Sequence, residues 1–233
     1  MALIPDDAHG ARDLTNNNAV ANATGKVGNG AQLASSVPKY LSVASDAGIE
    51  FIQVDFYGCV WVKFDSLGGD YSIIAAKRPG TYNGEWQLMV TPGGDLIFEC
   101  YGSGGVVDIT SSVTPTTGVW YFIEFGVTGA TTGFISVDRA ADDTGTVDIT
   151  HAGGNLFLGY DGGAGYCNAV VDQFALYSAV PGAAYRNELY NSGSGKSYAS
   201  LSSTVDLVLF YELEASGGGS SSGAKNMTLL GVG

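Results

Sequence analysis

The chain has 233 residues, of which 45% are hydrophobic and 14% charged, and its formal charge is −13. That apolar share is enough to build a sizeable core, which excludes a disordered chain. The acidic balance disfavours nucleic-acid phosphate and anionic lipid as partners and suits cations, basic proteins or neutral sugars.

Met1–Asp7 carries neither a basic region nor an apolar segment of signal-peptide length. No run approaches the roughly 20 apolar residues of a membrane span. The expectation is a chain made and folded in a cytoplasm. Further along, a period of two dominates. Over Val54–Phe64, one face carries Val54, Phe56, Gly58, Val60, Val62 and Phe64, and the other Asp55, Tyr57, Cys59, Trp61 and Lys63. This predicts a long strand with one face in a core. Strands are then predicted over Tyr71–Ala76, Glu85–Thr91, Asp95–Tyr101, Val119–Thr128, Gly133–Asp138, Asn155–Tyr160 and Ala169–Tyr177. Thr91-Pro-Gly-Gly-Asp95 reads as a hairpin turn between two of them. Pro181 followed by Ala183–Leu189 gives the one helix, about two turns long. The last strand is Val205–Leu213, with Val205, Leu207, Leu209, Tyr211 and Leu213 on one face. About ten strands without long helices predict an all-β sandwich in a single domain spanning residues 1–233.

The cysteines are Cys59, Cys100 and Cys167, an odd and sparse set that argues against a disulfide framework. Cys100 shares an alternating face with Leu96 and Phe98 and reads as a small core residue; a Cys59–Cys100 bridge stays open.

Several segments in series resemble laminin-G-like domains of the concanavalin A-like lectin/glucanase superfamily, of the kind found in phage structural proteins. "KYLSVA" (Lys39–Ala44) looks like that family's early strand, and "GCVWVKF" (Gly58–Phe64) like its Trp-bearing strand. "IIAAK", "GVWYFIEF", "GFISVDR" and "LFLGY" look like the strands that follow, and "VVDQFALYSAV" with "NELYNSG" like the closing strand and short helix. The resemblance covers roughly Asp13 to Gly195 and implies a concanavalin A-like jelly-roll of ten or more antiparallel strands. Such domains usually open with a Leu-Val-x-Tyr-Trp-x-Leu-Asp-Glu type of strand, and here that pattern comes last, as "LVLFYELEASG" (Leu207–Gly217). Residues 204–233 would therefore supply the opening strand. Either the domain is circularly permuted or this strand completes a neighbouring molecule, with Leu207, Leu209, Tyr211 and Leu213 as the assembly residues. Calcium carried over from the family would use Asp172, with Asp7 near the start; Gln173 stands where the family commonly has Glu, which weakens that site.

Catalytic signals are poor, and no catalytic residue is assigned. Only two histidines occur, and there is no His-Glu-x-x-His, P-loop or intact Gly-x-Gly-x-x-Gly. Glu212 and Glu214 share a strand face, yet the family's Glu-x-Asp-x-x-Glu pattern is missing. Glu99 and Glu124 are lone acids in apolar strands, each opposite the core face. Asp142-Asp143 and Asp161-Gly-Gly are loop acids of the kind hard cations use. Sugar binding would use aromatic rings beside Gly-rich turns, and Tyr82, Trp86, Tyr101, Tyr160 and Tyr166 are placed there.

The leading functional expectation is a non-enzymatic structural or decorating protein of an assembled particle, a phage virion, without a cofactor. The resembled fold mostly serves outside cells, and a virion reconciles this with synthesis in a host cytoplasm. The expected partners are other copies of the chain, a capsid protein or both, with glycans as a further option, and neither nucleic acid nor membrane. The alternatives are a carbohydrate-binding module and a calcium-dependent adhesion domain.

Overall fold

The computed structural model describes residue 9 and residues 12–78, 84–151 and 153–214. Two antiparallel sheets lie face to face. The seven-stranded sheet runs in the order β1 (Thr15–Asn17), β4 (Tyr40–Val43), β13 (Asn155–Leu158), β6 (Ser72–Arg78), β7 (Trp86–Val90), β8 (Leu96–Gly102) and β9 (Gly105–Thr110). The eight-stranded sheet runs β12 (Asp143–Thr146), β11 (Thr132–Val137), β10 (Trp120–Thr128), β5 (Phe56–Phe64), β14 (Ala169–Tyr177), β3 (Asn29–Gln32) and β2 (Ala21–Thr24), with β15 (Leu207–Tyr211) also paired to β14. One α-helix, α1 (Ala183–Tyr190), follows β14. This is the all-β sandwich that the period-two pattern predicts. Among the described residues no helix is long and apolar enough to cross a membrane.

The long strands form where alternation is clean. On β5, Phe56, Val60, Val62 and Phe64 enter the space between the sheets. There Phe56 and Phe125 meet Trp86 and Phe98 from the opposite sheet, with ring centroids 5.1–6.4 Å apart. Burying each such side chain stabilises by about 1.5–3 kcal/mol. Gly58 stands on the same strand because a Cβ there would come within 2.3 Å of the Phe125 ring. The strands that periodicity does not show are β1, β2, β3, β4, β9 and β12, of which β4 is marked only by the family resemblance. Segments such as Thr-Asn-Asn, Ala-Asn-Ala-Thr and Asp-Thr-Gly-Thr have no apolar alternation and become strands by pairing with a neighbour.

The second face of β5 is also covered. Tyr57, Cys59 and Trp61 join Phe122, Phe134, Ala175 and Tyr177 in a separate cluster beneath Leu189 of α1. Cys59 therefore faces the helix, whereas Cys100 lies between the sheets; all three cysteines are buried and free, and no Cys59–Cys100 bridge forms.

β14 is shared at one edge. Its Val170 and Val171 pair with β3, and its Phe174–Tyr177 half pairs with β15 of the same chain. A register shift at Leu176/Tyr177 corrects the single-face reading of the last strand. The extra residue reverses the alternation. Leu207 turns toward α1, while Leu209, Tyr211 and Leu213 enter the space between the sheets. Tyr211 also donates its hydroxyl to the Arg12 carbonyl at 2.6 Å. Val205 is left exposed. The residues of this segment beyond 214 lie outside the described residues.

Candidate functional site

The outward face of the seven-stranded sheet carries a groove of about 630 Å³. Its floor follows from strand register. A break in the β6–β7 register between Ile73 and Ala75 turns Ile73 outward, where it meets Met89 and Ile97 in one apolar row. The next row, one pleat along, holds Ala76, Gln87, Glu99 and Asp108 directly opposite one another. Beyond it lie Arg78, Tyr101 and Val106. Asp70 and Tyr71 stand at one end, and loop residues Asp161 to Gly165 form a wall.

The polar row is tied together. Gln87 donates to Glu99 Oε1 at 2.5 Å and accepts from Arg78 Nη1 at 2.9 Å. Arg78 also meets the Tyr101 hydroxyl at 3.4 Å and Asp161 Oδ2 at 3.3 Å. Asp161 Oδ1 accepts the backbone N–H groups of Gly163 and Gly165, so one carboxylate shapes the loop and holds the arginine. Burial pushes the Glu99 carboxyl above the usual carboxylate range, and Asp108 across the strand pushes it further, against hydrogen bonds from Tyr101 and Gln87. Burial likewise raises the Tyr101 hydroxyl.

Across the loop, over β4 and β13, lies a tyrosine stack. Tyr160 and Tyr166 are 4.7 Å apart with rings 12° from parallel. Tyr40 packs on Tyr160 at 4.5 Å, and Phe157 at 5.2 Å. Tyr160 and Tyr166 keep part of their surface open.

The aromatic candidates thus separate. Tyr101 lies in the groove, and Tyr160 and Tyr166 on its far bank. Trp86 is a correction: its side chain points from β7 into the space between the sheets, is fully buried, and offers no surface to a ligand. Its neighbour Gln87 faces the groove instead, because successive side chains alternate. Tyr82 lies outside the described residues. Arg78, Gln87, Met89 and Asp108 carried no sequence signal of their own. Glu99 did, as an acid alternating with Leu96, Phe98 and Cys100.

The metal candidates are placed as follows. Asp7 lies outside the described residues. Asp172 is buried on β14, where its Oδ2 accepts the backbone N–H groups of Lys26 and Val27 at 2.7 and 2.8 Å, and Oδ1 has no hydrogen-bond partner. Glu214, nearby, accepts from the backbone and side chain of Asn29. A hard cation needs several oxygens turned toward it. Here Asp172 meets N–H donors, and among the described residues no three His, Cys, Asp or Glu side chains come together to hold a metal. Of the loop acids, Asp142 pairs with Arg186, Asp143 accepts from Ser112, and Asp161 is engaged as above.

Burial raises Asp172 to about 8, against the N–H bonds from Val27 and Lys26, with Glu214 adding to the rise. The folded state therefore binds a proton that the unfolded chain, with an ordinary aspartate, releases near pH 4. The contribution is complete in acid and is lost as pH rises through about 8. Asp172→Asn keeps an oxygen for Lys26 and Val27 and removes the charge. Urea midpoints of this variant are expected to fall less between pH 5 and pH 8 than those of the parent. Identical pH slopes in the two proteins would contradict a buried, proton-holding Asp172.

The family model for the "Concanavalin A-like lectin/glucanases superfamily" matches residues 42–184, more than half of the chain. The chain belongs to this superfamily. Solved structures share the concanavalin A-like architecture. The binding domain of Paraclostridial Mosquitocidal Protein 1 is 16% identical, with a TM-score of 0.65 over 82% of this chain and 52% of that one. Domain 4 of AbnA, a GH43 extracellular arabinanase from Geobacillus stearothermophilus, solved with arabinotriose, is also 16% identical, with a TM-score of 0.61 over 80% of this chain and 89% of that one. The botulinum neurotoxin serotype D ligand-binding domain, solved with N-acetylneuraminic acid, is 12% identical, with a TM-score of 0.63 over 81% and 49%. The chain spans about half the length of the two toxin chains. At these identities the likeness is one of fold. A search of the curated proteins gave no match.

Proposed function

We propose that the chain is a glycan-binding module and that the groove on the seven-stranded sheet is its binding surface. The observation that carries this reading is the pairing of an apolar row, Ile73, Met89 and Ile97, with a hydrogen-bonded polar group from the next two rows, Gln87 and Glu99 then Arg78 and Tyr101, in one concave site. A pyranose offers the same two surfaces, a C–H face and a rim of hydroxyls. Concave, partly apolar sites with a few fixed polar groups are the usual form of a small-ligand site. Two of the structural relatives were solved with saccharides, which supports the reading. It assigns no catalytic residue.

The test is a glycan array followed by titration calorimetry on the ligand it returns. Arg78→Ala is expected to weaken binding at least tenfold, about 1.4 kcal/mol. Tyr166→Ala, across the loop, is expected to change it less. Undiminished affinity in Arg78→Ala would remove the groove from consideration.

A place on the surface of an assembled particle is the second reading, favoured by the acidic charge of −13, which suits docking on a basic lattice. Light scattering separates the two settings. A trimer or larger species supports it, and a 24.0 kDa monomer at all concentrations counts against it.

A further inference from the structure

We propose that the ligand is a neutral glycan chain of about four or more sugars, running across the strands from the groove, over the 161–165 loop, to the tyrosine stack; this rests on the groove being the glycan site. Cross-strand register carries the inference. Phe157 of β13 lies opposite Ala76 of β6, Ala76 opposite Gln87 of β7, and Gln87 opposite Glu99 of β8. One outward row therefore joins the polar row of the groove to the aromatic cluster. Phe157 is the base of that cluster, with Tyr160 packed on it at 5.2 Å and Tyr40 at 6.1 Å. From Glu99 to Phe157 is three strand spacings, about 14 Å. One spacing is close to the length that a sugar adds to an extended chain. A disaccharide in the groove stops short of the tyrosines, and a tetrasaccharide reaches them.

The loop between the two surfaces belongs to both. Tyr160 and Tyr166 form its stem, paired across a β-bridge, and Asp161, Gly163, Ala164 and Gly165 line the groove. It lies over β6: Arg78 donates to Asp161 at one end, and a Cβ on Gly165 would come 2.6 Å from Ile73 Cγ1 at the other. Beyond Asp161 the loop carries no side chain larger than the Ala164 methyl, and Gly163 and Ala164 are exposed. Glycine lets a ligand approach the backbone closely, so a glycan crosses this crest while touching the surfaces on either side. Tyr40, Tyr160 and Tyr166 each keep part of their surface open. A tyrosine ring has an apolar body and a polar tip, which matches the C–H face and hydroxyl rim of a sugar. The charge of −13 disfavours an acidic polymer.

The experiment screens arabinan, xylan, glucomannan and mixed-linkage glucan by affinity gel electrophoresis, then titrates the disaccharide and pentasaccharide of the retained polymer by calorimetry. Affinity is expected to rise about tenfold from disaccharide to pentasaccharide, as when one molecule engages two linked surfaces. In Tyr166→Ala the gain is expected to narrow to about threefold or less with disaccharide affinity unchanged, and Tyr166→Phe, which keeps the ring, retains it in full. Tyr40→Ala, outside the loop, tests the same platform should the Tyr166 variant lose melting temperature. Affinity that is flat beyond the disaccharide overturns the chain reading and leaves the groove standing, provided Arg78→Ala weakens the disaccharide. A length gain left intact by both alanine variants overturns the path over the loop. Retention of none of the four polymers also overturns the chain reading, and the glycan array with Arg78→Ala then decides the groove separately. Binding that depends on Tyr166 and not on Arg78 overturns the groove reading and the chain across it together.

Discussion

Glu124→Ala is expected to cost about 3 kcal/mol of stability, read from urea unfolding. Glu124 sits mid-strand on β10, fully buried, on the face that α1 covers. It accepts the Tyr57 hydroxyl at 2.8 Å, Arg139 at 2.7 and 2.9 Å, and Arg186 Nε at 2.8 Å. Arg186 comes from α1, reaches Asp142 as well, and lies over the rings of Tyr57 and Phe134. The carboxylate is therefore the point at which the helix is fastened to the sheet. Alanine would leave two guanidinium groups and a tyrosine hydroxyl without this acceptor. Breaking a buried pair from one side typically costs 3–5 kcal/mol, because the remaining charge is uncompensated. The lower end applies because the Arg139 and Arg186 side chains keep 16% and 11% exposure. Against a total stability of about 5–15 kcal/mol this is a large share. Glu124→Gln keeps the volume and an acceptor and is expected to cost less than alanine. A loss below about 1 kcal/mol in the alanine variant would show that the helix is held by its apolar contacts alone.

Trp86→Ala is expected to cost about 3–5 kcal/mol, the range for emptying a buried aromatic site. The indole packs against Phe56, Phe98 and Phe125 between the sheets, and Nε1–H is buried without a hydrogen-bond acceptor. Trp86→Phe gives up that unpaired donor along with one ring, so desolvation relief offsets part of the cavity. Its cost is expected to be under half that of alanine. The pair also tests the placement of this residue against the reading of it as a sugar-stacking ring. Phenylalanine at this position should leave glycan affinity within a factor of two, since the side chain lies behind the sheet that bears the groove. A large loss of affinity with stability intact would put the ring in contact with the ligand.

Both variants act on features that the sequence shows only in part. The alternation Leu96, Phe98, Cys100 against Ile97, Glu99, Tyr101 is legible, and it separates a core face from an outward face. That is enough to mark Glu99 as an acid held on an otherwise apolar strand. It is not enough to supply Asp108, Gln87 and Arg78, which lie on three other strands and join Glu99 only through cross-strand register. Register depends on how whole strands bury their faces and on local breaks such as the one at Ile73/Ala75. The same limit explains Trp86. Proximity to a Gly-rich turn suggested exposure, while its place on the pleat, opposite Cys100, sends it inward.

By itself the sequence determined the sandwich class, the long strands and the short helix. Period-two alternation and Gly-rich turns are local properties, and the long strands have enough apolar residues on one face to specify a core. Tertiary structure decided the rest. It made strands of the polar segments around β2, β3 and β12, because a neighbour supplies the hydrogen bonds that their side chains do not favour. It buried both faces of β5 by laying α1 across the second. It gathered the groove from β6, β7, β8, β9 and the loop at Asp161, segments as far apart as Asp70 and Gly165. Side chains so distant along the chain become neighbours only when the sheet fixes which strands adjoin and which face each residue takes.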